Sequence, residues 1–280
     1  MAIRAFGAIK TIGTIAGAVR TAWRRVVPAR WRGHDWSAPP LIPGQWRTVP
    51  PDAAVTLMIR LCAEVPAAAA ICAAHDITAL RQRRLISIPD GLLIEFQAVP
   101  HDGSAPGIGA VIYRPGLFDL IDGEAAVLHH LCWDGAVMLD TAEKALEYTQ
   151  LFCGAVQGEH GCFFPVRPSM ANRVNRQHPK LWSSIKRLAS PVAVRRDDED
   201  WAIDMAIAFG DGFYGSSFTL EPSGMIEMLE DDHLCGIAPA TAQGWLDGLR
   251  FNFPVAPEAT NHPCPGCSDA ARNERPDHAQ

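Results

Sequence analysis

Residues 201–230 read WAIDMAIAFGDGFYGSSFTLEPSGMIEMLE, and this stretch decides the fold class. Large apolar side chains alternate with small or acidic ones through residues 201–209, which is the period of a strand with one buried face. Turn-forming residues follow at 210–212 and again at 221–224, and strand-like runs continue after each turn. The stretch therefore predicts a three-stranded antiparallel β-meander.

Helical patterns lie upstream of this meander. Asp52 is placed to cap a first helix, Pro66 ends that helix, and the alanine-rich run up to residue 84 predicts a second one. The spacing of Asp140 and Glu143 is that of a capping box and predicts a further helix up to residue 155. The helices are thus grouped before the meander.

Further strand patterns lie between and after these helices. Runs at residues 85–88 and 92–99 flank a Pro-Asp-Gly turn and predict a hairpin, and two more strands are expected at residues 109–114 and 162–166. Helices and hairpins in separate runs are typical of an α+β protein. The predicted fold is an antiparallel β-meander sheet packed by a few helices, with an N-terminal amphipathic helix.

The chain divides into four segments by composition. We predict a basic amphipathic helix at residues 1–28, a strap or linker rich in Pro and Trp at 29–50, an α+β domain at 51–254, and a flexible tail containing Cys-x-x-Cys at 255–280.

Composition excludes two broad classes. The chain has 280 residues, of which 48% are hydrophobic, and this content is too high for a disordered protein. It also lacks the long uncharged apolar run that a transmembrane helix needs. The eight cysteines are sparse, and the start of the chain lacks the apolar core of a signal peptide. We therefore expect a cytoplasmic protein, with peripheral attachment to the inner face of the membrane as the finer prediction.

Charge is distributed in three blocks behind a net value of −6. Residues 1–34 carry seven basic side chains and no Asp or Glu, and residues 160–196 carry eight basic side chains and no acid. Residues 197–232 hold eleven acids and no Lys or Arg. Blocks of opposite sign indicate surfaces that face each other or face different partners.

The first block has the pattern of a helix that lies on a membrane surface. Its apolar residues recur at intervals of three and four, its polar face is cationic, and a tryptophan lies on the apolar side. The alternative is that this face packs on the domain itself or on a partner helix. An Arg-rich, acid-poor amphipathic start is also typical of an organellar transit peptide. The residues predicted to insert or to contact anionic headgroups are Ile12, Ile15, Val19, Arg20, Trp23, Arg24 and Arg25.

The C-terminal tail offers the only candidate cofactor, which is zinc. A Cys-x-x-Cys turn lets two thiolates converge on a tetrahedral ion, but one such turn supplies half a site, so an unstructured tail without metal is the favoured interpretation. A redox role is a third option, which is disfavoured because no βαβ pattern precedes the motif. The candidate ligands are His262, Cys264, Cys267 and His278.

Three other clusters contain residue types that can form catalytic or metal sites. For the first two, the ordinary interpretation as core or surface residues is favoured, because no third group is fixed by spacing. For the third, a solvated strand edge is favoured, because the residues lack the alternating oxygen ligands of a calcium loop. The first comprises His129, His130, Cys132 and Asp134, the second comprises Cys153, His160 and Cys162, and the third comprises residues 230–233.

The basic stretch at residues 160–196 also contains aromatic residues, a composition that can follow phosphates and stack on bases. The acidic run at residues 197–200 would repel a polyanion. Neutralisation within the protein, or an acidic protein partner, is therefore favoured over nucleic acid, which stays as an alternative.

Four segments carry a resemblance to known sequences. They are FDLIDG at residues 118–123, LFC at 151–153, GEHG at 158–161 and PSGMIEM at 222–228. Through them the chain resembles a loosely defined group of uncharacterised bacterial proteins over roughly residues 117–234. The resemblance implies no assigned activity.

The function predicted from these patterns is that of a non-enzymatic binding or scaffold protein. It would dock on an anionic membrane, or on a membrane-bound partner, through its N-terminal helix. The competing hypothesis is an enzyme or zinc protein whose site is assembled from residues that are distant in sequence.

Overall fold

The computed structural model of the protein describes residues 36–166, 193–210, 212–235 and 241–254. The predicted amphipathic helix, the Cys-x-x-Cys tail and most of the basic stretch at residues 160–196 lie outside these ranges.

The described elements are short helices and antiparallel strands in separate runs, which confirms the predicted α+β class. In chain order they are β1 (Arg47–Thr48), α1 (Pro51–Glu64), α2 (Pro66–Ala74), β2 (His75–Arg84), β3 (Leu92–Pro100), β4 (Gly107–Arg114), β5 (Leu117–Ile121), α3 (Ala126–Trp133), α4 (Ala142–Ala155), β6 (Gln157–Gly158), β7 (Gly161–Cys162), β8 (Phe164–Pro165), β9 (Ala193–Asp197), β10 (Asp200–Phe209), β11 (Gly212–Leu220), β12 (Ile226–Cys235), β13 (Thr241–Leu246) and β14 (Leu249–Pro254).

The larger sheet has seven strands in the order β1-β2-β3-β4-β14-β13, with β5 also paired to β4. One edge of strand β4 pairs with two strands in succession. Ile108 near its start pairs with Arg250 of β14, while Ala110 and the residues after it pair with β5. The last two strands of the described chain are thereby placed beside an early strand.

The second sheet has five strands and contains the predicted meander. Strands β10, β11 and β12 pair as consecutive antiparallel neighbours, as the alternation in residues 201–209 indicated. The free side of β10 is divided between β9 at its start and β8 at its end. Trp201, Ile203 and Met205 are buried on one face of β10.

Two hydrophobic cores hold the layers together. The main core lies between the sheets, where Leu93 and Ile112 of the large sheet and Ile203 of the meander pack around Tyr148 of α4. The second core lies under the α1–α2 hairpin, which packs Met58 and other apolar residues against the opposite face of the large sheet. The order of layers is therefore helix pair, large sheet, helices α3 and α4, and second sheet.

Two sequence predictions about β2 were wrong. The run up to residue 84 was expected to be helical, but α2 ends at Ala74 and His75–Arg84 form β2. Residues 85–88 were expected to be the first arm of the hairpin, and they lie in the connection instead. Pairing of β2 with β3 over most of its length outweighs the local helical propensity of alanine.

Both helix starts also differ from the predictions. The N-cap of α1 is Pro50, and Asp52 lies in the first turn without a capping bond. The N-cap of α4 is Thr141, whose side chain accepts a hydrogen bond from the Lys144 backbone N–H, so the cap lies one residue after Asp140. In both places a neighbouring residue has the extended backbone that an N-cap requires.

Candidate functional site

The residues predicted to contact a membrane or zinc all lie outside the described part of the chain. This applies to Ile12, Ile15, Val19, Arg20, Trp23, Arg24, Arg25, His262, Cys264, Cys267 and His278. Their roles stay predictions. The described residues nevertheless show how the segment just after the predicted helix joins the domain.

Residues 36–46 form a strap across the inner face of the large sheet. Leu41 and Ile42 of this strap are completely buried in the main core. Gly154 of α4 faces Leu41, and a Cβ atom at residue 154 would lie only 2.9 Å from a Leu41 methyl carbon. The middle of the strap is therefore part of the main core, while Pro39, Gly44 and Gln45 are exposed.

A buried ion network lies beneath the strap. The Glu95 carboxylate on β3 accepts hydrogen bonds from Arg81 Nε at 2.5 Å, from Arg250 Nη2 at 2.7 Å and from the Leu41 backbone N–H at 2.8 Å. Both the Glu95 and the Arg250 side chains are fully buried. Burial lowers the pKa of Arg81, and the charge of Glu95 opposes that shift.

The sheet also bonds to the main chain of the strap. Arg250 donates to the Pro39 carbonyl at 2.9 Å, and Asn252 donates to the Ser37 carbonyl. In the other direction, the Gln97 side chain accepts from the Ser37 N–H at 3.2 Å. These contacts satisfy backbone groups that the strap, having no strand partner at these residues, would otherwise bury unpaired.

A second carboxylate, Glu147 on α4, anchors the connection between β2 and β3. It accepts from Arg83 Nη2 at 2.5 Å and from the backbone N–H groups of Ile86 and Ser87. Arg83 also donates to the Pro43 carbonyl of the strap. The guanidinium of Arg83 is therefore committed to structural contacts.

A basic groove opens at the edge of the large sheet, next to the strap. Its volume is about 290 Å³, at the lower end of the range of small-molecule pockets. Of the arginines that line it, Arg83 pairs with Glu147 at 2.5 Å, whereas Arg84 lies 3.7 Å from Asp90, and the Arg84 and Asp90 side chains are both largely exposed. Arg47 is in no ion pair with any residue of the described ranges. The groove is lined by Gln45, Arg47, Gln82, Arg83, Arg84 and Leu92.

The first histidine and cysteine cluster does not converge on a common point. Cys132 Sγ lies 3.1 Å from the Tyr148 hydroxyl, whereas Asp134 pairs with Arg114 at 3.1 Å. His129 and His130 instead contact the ring of Trp133, which is 75% exposed. These residues therefore make separate contacts around the end of α3.

The second cluster is divided between core and surface. Cys153 and Cys162 are buried, and burial raises the pKa of each thiol to about 12. His160 is exposed and its ring lies 5.9 Å from the ring of Phe209. The third cluster lies on β12, where Glu230 pairs in register with Ser217. Within the described ranges no three His, Cys, Asp or Glu residues are grouped so that they could hold a metal ion.

The strap, the ion network and the groove belong to an α+β protein whose described residues form two large sheets and the two-stranded sheet β6–β7, and this layering defines its class. Comparison of the chain with protein-family models, with curated proteins and with solved structures finds no match. None of the helices in the described residues has both the length and the apolar character needed to cross a bilayer.

Sequence reasoning missed the groove and the ion network. The run RQRR at residues 81–84 was a visible signal, but it was assigned to a helix, which would have spread its side chains differently. In a strand, Arg81 and Arg83 face the strap while Gln82 and Arg84 face the opposite side. Arg47 lies far away in sequence and joins them only through β1.

Proposed function

We propose that the protein is a non-enzymatic binding or scaffold protein that docks peripherally on an anionic membrane through residues 3–27. The observation that carries this proposal is the charge of residues 1–34, with seven basic side chains and no acid, combined with an apolar face at helical spacing. Its expected location is the cytoplasm, at the inner face of the membrane.

The attachment of the strap supports this proposal. The Arg81 guanidinium stacks on the Trp36 ring with its carbon 3.8 Å from the ring centroid, and the residues that follow are bonded to the sheet. Eight peptide units separate residue 28 from residue 36, a reach of on the order of 30 Å. Anything that binds the N-terminal segment is therefore held close to the domain surface.

The position of the basic groove supports it as well. Trp46 immediately precedes Arg47 of the groove, and its ring centroid lies 5.3 Å from the same Arg81 guanidinium that contacts Trp36. The described chain thus begins next to a surface of matching charge. A membrane that attracts residues 1–34 would also attract this edge of the domain.

The test is sedimentation of the full-length chain with vesicles of neutral phosphatidylcholine and with vesicles that also contain phosphatidylglycerol. We expect binding only to the anionic vesicles, and we expect it to weaken in high salt because screening shortens the reach of each charge. Each basic residue near such a surface contributes about 1 kcal/mol, so the triple variant Arg20→Gln, Arg24→Gln, Arg25→Gln should bind about 100-fold more weakly.

The matched control is the triple variant Arg173→Gln, Arg176→Gln, Lys180→Gln, which removes the same charge from the other basic block. This control should bind as the unchanged protein does. Equal losses of vesicle binding in the two triple variants would show that binding depends only on net charge, and this result would contradict the proposal. Absence of binding to either vesicle would instead mean that the N-terminal segment docks on protein.

A further inference from the structure

We infer that the basic groove is a binding site for a phosphate monoester group, held by Arg47 and Arg84. This inference deepens the proposed function, and it rests on that function only where the phosphate belongs to a lipid headgroup. The groove itself is formed by described residues alone.

The register of β1 and β2 brings the two arginines together. Arg47 lies directly opposite Gln82, and Arg84 is two residues further along β2. Alternate residues of a strand face the same side, so all three side chains share one face of the sheet. Diagonal neighbours of this kind have Cβ atoms about 7–8 Å apart, which lets two long side chains close on one small anion.

The donors of these arginines are available, whereas those of Arg83 are not. Arg83 already donates to Pro43, Glu147 and Arg84 carbonyl or carboxylate oxygens, so it forms a wall of the groove. Arg84 has one long contact, 3.7 Å to the exposed Asp90, which an incoming anion can replace. Gln45 and Gln82 add amide donors at the same opening.

The charge of the site selects the class of anion. Once the long contact between Arg84 and Asp90 is replaced, the guanidinium groups of Arg47 and Arg84 match a phosphate monoester, which carries about −1.5 to −2 charges at neutral pH, better than a singly charged diester. Arginine forks also bind phosphate oxygens in pairs. Leu92 supplies one apolar wall, and about 290 Å³ leaves room for the phosphate and a short carbon stem.

The first experiment uses the full-length protein in solution without membranes. Isothermal titration with inorganic phosphate and with glycerol 3-phosphate should show binding of both, and the double variant Arg47→Gln, Arg84→Gln should bind each at least tenfold more weakly. Binding should also weaken near pH 5, because the second ionisation of a monoester occurs near pH 6.

The matched control removes an exposed arginine outside the groove. Arg60 pairs with Glu64 on α1 at 3.4 Å and does not line the groove. The variant Arg60→Gln should bind phosphate as the unchanged protein does. Thermal unfolding of all variants checks that each is folded, since the groove arginines lie at the sheet edge and their loss should cost little stability.

The second experiment separates the two sources of phosphate and the two proposals. Vesicles that contain phosphatidic acid should be preferred over phosphatidylglycerol vesicles of equal surface charge, and the groove variant should lose this preference while it still sediments with both. The Arg20, Arg24, Arg25 triple variant should show the opposite pattern: weak vesicle binding and unchanged titration with glycerol 3-phosphate.

Each outcome decides the inference. Phosphate binding in solution without a preference for phosphatidic acid supports the groove as a site for a free phosphate ester. A groove variant that binds both soluble phosphates as well as the unchanged protein does would overturn the inference, whatever the vesicles show. Failure of vesicle binding alone would count against the proposed membrane docking and leave the groove standing.

Discussion

Glu95 accepts three hydrogen bonds in the buried network beneath the strap. It lies in the apolar run of β3, between Ile94 and Phe96, so its position alone predicts a half-buried strand residue. The structure shows it fully buried and bonded to Arg81, Arg250 and the strap. A carboxylate in such a place is retained only if every oxygen has partners.

We expect Glu95→Gln to lower the free energy of unfolding by about 3–5 kcal/mol, because two buried guanidinium groups lose their counter-charge. Urea denaturation measures the effect. The control is Glu64→Gln, which breaks an exposed pair with Arg60 and should cost no more than about 1 kcal/mol. Equal losses in the two variants would show that the Glu95 network does not contribute as a buried charge.

The buried thiol of Cys153 predicts a dependence of stability on alkaline pH. Burial raises its pKa to about 12 in the folded protein, whereas an unfolded cysteine titrates near pH 8.5. The proton is therefore kept on folding, and the stability from this group is present below about pH 8.5 and lost as the pH rises towards 12.

The variant Cys153→Ala should remove part of this loss. Between about pH 9 and 11, the free energy of unfolding of the unchanged protein should fall relative to that of the variant by about 1.4 kcal/mol per pH unit. Chemical denaturation at several pH values measures this difference. The variant Thr141→Ala, which removes no titrating group, should differ from the unchanged protein by a constant amount, and a constant difference for Cys153→Ala would contradict the assignment.

At the scale of elements, the N-terminus of α4 is capped by the side-chain hydroxyl of Thr141. Thr141 accepts a hydrogen bond from the Lys144 N–H, and Asp140 makes an exposed ion pair with the Lys144 ammonium at 2.6 Å. Thr141→Ala should therefore cost about 1 kcal/mol of stability, as for other lost caps. Asp140→Ala should cost less, because an exposed pair contributes little. Thermal unfolding compares the two, and the reverse order would favour Asp140 as the cap.

Local patterns predicted some elements and missed others for physical reasons. The meander was predictable because β10, β11 and β12 pair with their sequence neighbours across short turns. Strand β2 was not predictable from local patterns, because the alanine-rich segment before it has helical propensity. Its strand conformation depends on pairing with β3. Strands β13 and β14 were missed too, since β14 joins the sheet beside β4, far away in sequence.

The candidate site follows the same rule. The basic N-terminal segment is a contiguous pattern and was visible in the sequence. The basic groove requires Arg47 and Arg84 to meet across β1 and β2, and β1 has only two residues, too few to leave a periodic signal.

At the scale of the whole molecule, the two sheets share one core. Tyr148 and Leu151 of α4 belong to the same buried cluster as Leu93 of the large sheet and Phe218 of the meander. The Trp245 indole also donates to the Gly154 carbonyl of α4 at 3.0 Å, which ties the large sheet to this central helix. The sheets should therefore unfold together.

Hydrogen exchange tests this cooperativity. Ile203 is fully buried on β10, and Ile203→Ala should lower stability by about 2–5 kcal/mol. Amide protection should fall by the same factor in peptides from β3 and from β10, which lie in different sheets. A loss of protection confined to the meander would show that the sheets open separately.

The strap has a consequence for how the protein is made on the ribosome. Its Ser37 and Pro39 carbonyls are bonded by Asn252 and Arg250, side chains that emerge more than two hundred residues later. Synthesis adds about 5–20 residues each second, so the strap waits on the order of ten seconds or more for these partners. During that interval the N-terminal segment is already outside the ribosome, so the proposed docking on a membrane can begin before the domain is complete.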